Sequence, residues 1–121
     1  GHRIIMDYLR RMCASVFEGQ LNLSRLGLMK MPEDCLMMTH IRRLNLMENR
    51  IDEVDHGIGR FTNLTDLMVN ANRLTELPSV LGSLPRFHRI AYEDNTIVSP
   101  PVSVQNKGSD AVIAYLKRLW E

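Results

Sequence analysis

The chain has 121 residues, 45% hydrophobic and 24% charged, with a formal net charge of +1, which is enough for one domain with a buried core. Charge this close to balance gives no pull toward nucleic acid or an anionic lipid surface. No apolar run reaches the ~18 to 20 residues that span a bilayer, so neither nucleic acid nor membrane is an expected partner.

The first predicted element is a helix within residues 1–17. Ile5, Tyr8, Leu9, Met12, Val16 and Phe17 recur at helical spacing there. The opening GHRIIMDYLRR returns to charge after a few apolar residues, unlike a signal peptide. Gly1-His2 reads as the remnant of a removed tag, which predicts a piece cut from a longer protein. Cys13 and Cys35 have neither metal-ligand spacing nor the pattern of a secreted disulfide framework, so a reduced, cytoplasmic setting is expected.

From residue 18 onward the chain repeats itself. LTDLMVNANRLTELP (64–78) lies under IRRLNLMENRIDEVD (41–55) at a shift of 23 residues. The frame Ile41, Leu44, Leu46, Ile51, Val54 recurs as Leu64, Leu67, Val69, Leu74, Leu77, and again as Phe87, Ile90, Tyr92, Ile97. Asn49, Asn72 and Asn95 keep the same interval, while a worn earlier copy reads Leu21, Leu23, Leu28, Met31, Pro32, with Leu26 at the asparagine position. Units therefore start near residues 18, 41, 64 and 87. Each LxxLxL predicts a short strand with alternate side chains turned inward, followed by a sharp turn and a return segment. The asparagine amides are expected to form a ladder that satisfies turn backbone groups.

The last predicted element is a helix over residues 109–121, with Val112, Ile113, Leu116, Leu119 and Trp120 on its apolar side and Ser109 as its N-cap. Asp7–Met12 matches Ala114–Leu119 at a shift of 107 residues, which predicts that the parent protein carries further repeats.

The pattern LxxLxLxxNxLxxLP resembles the leucine-rich repeat family of intracellular, 23-residue type. The resemblance covers about residues 18 to 107. It implies an α/β right-handed solenoid of about four repeats with a concave parallel β-sheet. The expected organisation is an N-terminal helical cap (1–17), repeats (18–108) and a C-terminal helical cap (109–121), all in one domain, since one coil alone cannot bury its apolar edge.

Function is then sought among the residues between the leucines. Arg43, Asp66 and Arg89 are predicted to form a charge ladder across neighbouring strands, ~4.8 Å apart. Met47, Met68, Ala71 and Ala91 form an apolar centre ringed by Arg42, Arg43, Glu48, Glu93 and Asp94. With Asn70 and Arg89 these are the candidate partner-binding residues, a composition that suits a protein interface. His40, His56 and His88 share no metal-ligand spacing. Asp66 and His88 are expected as cross-strand neighbours, but Ser24 on the same face is two coils away and a triad needs hydrogen-bond contact throughout, so no catalytic residue, metal or cofactor is expected. Asn22-Leu23-Ser24 and Asn63-Leu64-Thr65 match the glycosylation pattern only because they overlap the repeat frame. The resemblance implies a non-enzymatic module, monomeric as an isolated block, that binds a protein through its concave face. The alternatives are a regulatory or targeting segment of a larger enzyme (a Roco-type GTPase–kinase, a phosphatase or a ubiquitin ligase) and a structural spacer in a longer repeat array.

Overall fold

The computed structural model describes residues 8–11 and 19–121. Most of the predicted N-terminal helix lies outside these; residues 8–11 are helical. Four three-residue strands follow the predicted interval: β1 (Gln20–Asn22), β2 (Arg43–Asn45), β3 (Asp66–Met68) and β4 (Arg89–Ala91). They form one parallel sheet in the order β1-β2-β3-β4, with Gln20 opposite Arg43, Arg43 opposite Asp66 and Asp66 opposite Arg89. Each strand is thus displaced by one repeat, as stacked coils require.

The return segments are short and varied. The first carries a four-residue helix, α1 (Glu33–Leu36), and the next two carry 3-10 turns at His56–Arg60 and Ser79–Ser83. Asp55 caps the former by accepting from Gly57 N at 2.7 Å. After the fourth strand come α2 (Val102–Gln105) and α3 (Ser109–Trp120).

The core lies between the strands and the return segments. Frame residues of all three clear copies are buried, among them Leu44, Leu46, Ile51, Leu67, Val69, Leu74, Leu77, Ile90 and Ile97, while Tyr92 is half-buried. Phe61, Leu64 and Leu81 complete it at 0% exposure, so the repeat is filled from both sides.

Solenoid ends expose a sheet edge, and here side chains close both. One coil in from the start, Asn45 O and Met47 O accept from Leu23 N and Arg25 N at 2.8 and 3.1 Å. The equivalent carbonyls of the first coil, Asn22 O and Ser24 O, have no strand beside them among the described residues and accept from the Arg11 guanidinium at 3.3 and 2.6 Å. At the far edge, Ser109 Oγ donates to Ile90 O at 2.9 Å and lies 3.3 Å from Ile90 N. Ser109 is therefore not the N-cap of α3. Gly108 holds that position at φ 96°, and the serine hydroxyl is spent on the sheet edge instead.

Helix α3 buries Val112, Ile113 and Leu116 but leaves Leu119 53% and Trp120 52% exposed, contrary to a single apolar side reaching its end. Its backbone meets the Ser79–Ser83 turn so closely that a Cβ on Gly82 would stand 2.5 Å from Leu116 C and O.

Candidate functional site

The asparagines are tied into the backbone of two coils at once. Asn49 Nδ2 donates back one coil to Leu23 O and within its own coil to Leu46 O, both at 2.9 Å. Asn72 repeats this on Leu46 O and Val69 O at 2.9 and 3.0 Å, and Asn95 on Val69 O and Tyr92 O at 3.0 and 2.9 Å. Their Oδ1 atoms accept from the preceding turn: Leu26 N and Leu28 N for Asn49, Ile51 N for Asn72, Leu74 N for Asn95. Asn49 thereby satisfies the coil whose asparagine position is occupied by Leu26.

This anchoring fixes a sharp turn after each strand. Arg25, Glu48, Ala71 and Asp94 all have φ between 55 and 60°. That left-handed conformation costs a non-glycine residue roughly 1 to 2 kcal/mol. Inter-coil bonds from Arg25 N to Met47 O, Glu48 N to Asn70 O and Ala71 N to Glu93 O hold it in place. Glu48 and Asp94 are consequently presented at the strand-end rim of the sheet face, and Ala71 is turn backbone as much as surface.

On the face itself, Arg43, Asp66 and Arg89 are in register, as are Asn45, Met68 and Ala91. Asn22 and Asn45 each fold over their own strand end, Asn22 Oδ1 accepting from Ser24 N at 3.0 Å and Asn45 Oδ1 from Met47 N at 2.9 Å. Met68 pairs with Asn45 from β3 and Met47 follows Asn45 on its own coil, both half-buried. Asn70 donates to the Glu93 carboxylate across one coil, and Arg25 to Glu48 across another.

The predicted charge ladder is only half made. Asp66 is 7% exposed and accepts from Thr65 Oγ1 at 2.7 Å; Arg89 Nε is 3.9 Å and His88 Nε2 4.0 Å from its carboxylate. The carboxylate faces β4, so Arg43 has no ion-pair partner among the described residues. His88 stands beside Asp66, as expected of a cross-strand neighbour; its side chain is 65% exposed, and the nearby Thr65 hydroxyl is bonded to Asp66. Among the described residues no group of three or more His, Cys, Asp or Glu could hold a metal.

Ionisation elsewhere is structural. Burial, then the nearby Asp34 carboxylate that accepts its hydroxyl at 3.3 Å, pushes the Tyr8 phenol up to about 12. Burial alone raises the Cys35 thiol to about 12, so this cysteine is inert rather than nucleophilic. Burial, then Glu93, raises Tyr92, whose hydroxyl donates to Gln105 O at 3.2 Å.

No family model and no curated protein matches the chain. Among solved structures, a leucine-rich repeat protein of Leptospira interrogans superposes on 74% of it with a TM-score of 0.62 and 28% sequence identity. The chain has the leucine-rich repeat fold. This chain spans about a quarter of the Leptospira chain's length, 23% of it being matched. In a leucine-rich repeat fold the open sheet face is the concave face, and no described helix is long and apolar enough to cross a membrane.

The edge contact of Arg11 and the burial of Asp66, a residue expected on the face as exposed charge, were not foreseen. Nothing in their sequence context separates an edge-capping arginine or a buried aspartate from ordinary surface charge. Their roles follow from which coil stands beside them.

Proposed function

We propose that the chain is a non-enzymatic, intracellular recognition module in which residues 18–108 form the repeats and residues 1–17 and 109–121 the caps. The partner is a protein, and it binds the concave face. The observation that carries this is the pair Met47 and Met68, half-buried beside Ala91 on a sheet face whose neighbours Gln20, Asn22, Arg43 and Arg89 stand in solvent. Methionine is unbranched and polarisable and adapts to a partner's shape, while the charged rim of Arg42, Glu48, Glu93 and Asp94 supplies orientation. The coil frame holds this face rigid, so little order has to be gained on binding.

The test is capture from matched cell extract with the native chain and with a Met47→Lys, Met68→Gln, Glu93→Lys variant whose circular dichroism matches native. Loss of the same proteins from the variant supports concave binding. Unchanged capture would move the site to the convex side or the caps, where Arg10 and Lys117 stand exposed.

A further inference from the structure

The charges on the concave face do not cancel evenly. Arg25 and Glu48 neutralise each other, and Asp66 is flanked by Arg89 and His88. Two clusters are left over. Arg42 and Arg43 stand exposed at the start of β2, with no ion pair to either among the described residues. Glu93 and Asp94 stand exposed just beyond the end of β4, with no ion pair to either among the described residues and the neutral amide of Asn70 donating to Glu93.

Each cluster borders a depression of its own sign. One of about 340 Å³ is lined by Arg11, Arg43, Gln20, Asn22, Asn45 and Met68 with Leu21 at its floor. A second, of about 330 Å³, shares Gln20 and Arg43 with it and adds Arg42, whose guanidinium lies across Gly19. Neither contains an acidic side chain. A third, of about 460 Å³ beside Tyr92 and Ser109, contains Glu93 and Asp94 and no cation. Arg11 is committed to backbone carbonyls, so it adds positive potential to the first depression while Arg42 and Arg43 are left to bind.

We infer that the occupant of the concave face is an extended segment of a partner protein, with an acidic side chain over Arg42 and Arg43 and a basic one over Glu93 and Asp94. This rests on the concave-face reading and names the chemistry of its ligand. Arg43 and Glu93 are two strand spacings apart across the sheet and four residues apart along it. The diagonal is about 16 Å, which an extended chain covers in about five residues. The apolar side chains of such a segment would pass over Met68 and Ala91, midway along that diagonal. Asn70 supports the basic end: it donates to Glu93 while its own Oδ1 is buried without a hydrogen-bond partner. A cation arriving at Glu93 takes over the carboxylate and frees this amide to turn its oxygen toward a donor.

The test is an amide chemical-shift titration of the isotope-labelled chain with three synthetic peptides, Glu-Glu-Leu-Ala-Leu, Leu-Ala-Leu-Lys-Lys and Glu-Glu-Leu-Ala-Leu-Lys-Lys. The acidic peptide is expected to shift Gln20, Asn22, Arg43 and Asn45, and the basic peptide Tyr92 to Asn95 and Ser109. The two-signed peptide is expected to shift both sets and to bind at least about tenfold tighter than either half, because its second contact is intramolecular. Arg43→Glu should abolish the first set only, and raised salt should weaken all three peptides. No shifts, shifts centred away from these residues, or a two-signed peptide no tighter than its halves overturns the inference. If the peptides fail while the methionine variant still loses its captured proteins, the concave site stands and its proposed ligand falls. Capture that the methionine variant leaves unchanged removes the site itself.

Discussion

Truncating the three ladder asparagines to alanine should destabilise the fold by unequal amounts, because their partners are unequally shared. For Asn72→Ala, Leu46 O keeps Asn49, Val69 O keeps Asn95, and Asn70 O keeps Glu48 N. Only Ile51 N loses its partner, a cost of about 1 to 3 kcal/mol for one buried unsatisfied donor. For Asn95→Ala, Leu74 N and Tyr92 O are both stranded. Asn49→Ala strands Leu26 N, Leu28 N and Leu23 O, for a loss on the order of 3 to 5 kcal/mol. Urea unfolding followed by circular dichroism, with similar slopes for all variants, measures the series. The expected order of loss is Asn49, Asn95, Asn72. An Asn72 variant as damaged as the Asn49 variant, or three equal losses, would refute the shared-acceptor scheme, and a neutral Asn72→Ala would refute the ladder itself.

Other outcomes follow from the same geometry. Gly82→Ala must push α3 off the turn it packs against, since the added Cβ meets the Leu116 backbone at 2.5 Å; a loss of about 1 to 3 kcal/mol and faster proteolysis within 109–121 are expected. Ala71→Val should cost about 1 to 2 kcal/mol at φ 55°, where a β-branched residue is strained, while Ala71→Gly stays within about 1 kcal/mol of native; equal stabilities of Val and Gly variants would contradict the turn. The Tyr8 phenol rises from 10.0 to about 12 on folding, so its stabilisation is full below pH 10 and is lost as pH climbs through 12. Tyr8→Phe should accordingly flatten the fall of stability with pH across that window, as followed by urea midpoints.

The repeat frame was legible because burial imposes it. Leucines at fixed offsets and an asparagine every 23 residues serve backbone groups that have no other partner, and no alternative chemistry fits both. The buried frame positions and the strand register followed from that. The turn conformation did not. Arg25, Glu48, Ala71 and Asp94 have no glycine or asparagine to mark a left-handed residue; the neighbouring coil's carbonyls impose it. Asp66 reads as surface charge in an LxxLxL strand, and only the closeness of Thr65 and β4 buries it. Ser109 sits where a helix N-cap is usual, but the open edge of β4 competes for the same hydroxyl and wins. Leu119 and Trp120 continue the apolar spacing past the point where α3 leaves the core. In each case a contact between distant coils decides, and local sequence carries no trace of it.

The concave face contains its own reporters. Met47 and Met68 lie half-buried on it, whereas Met29 and Met37 are 65% and 79% exposed elsewhere. Hydroxyl-radical oxidation of the chain alone and with its captured partner, mapped by peptide mass, compares all four in one sample. A partner seated on the sheet protects Met47 and Met68 several-fold and leaves Met29 and Met37 oxidising at the free rate. Protection of Met29 and Met37 with Met47 and Met68 unchanged would contradict recognition through the concave face.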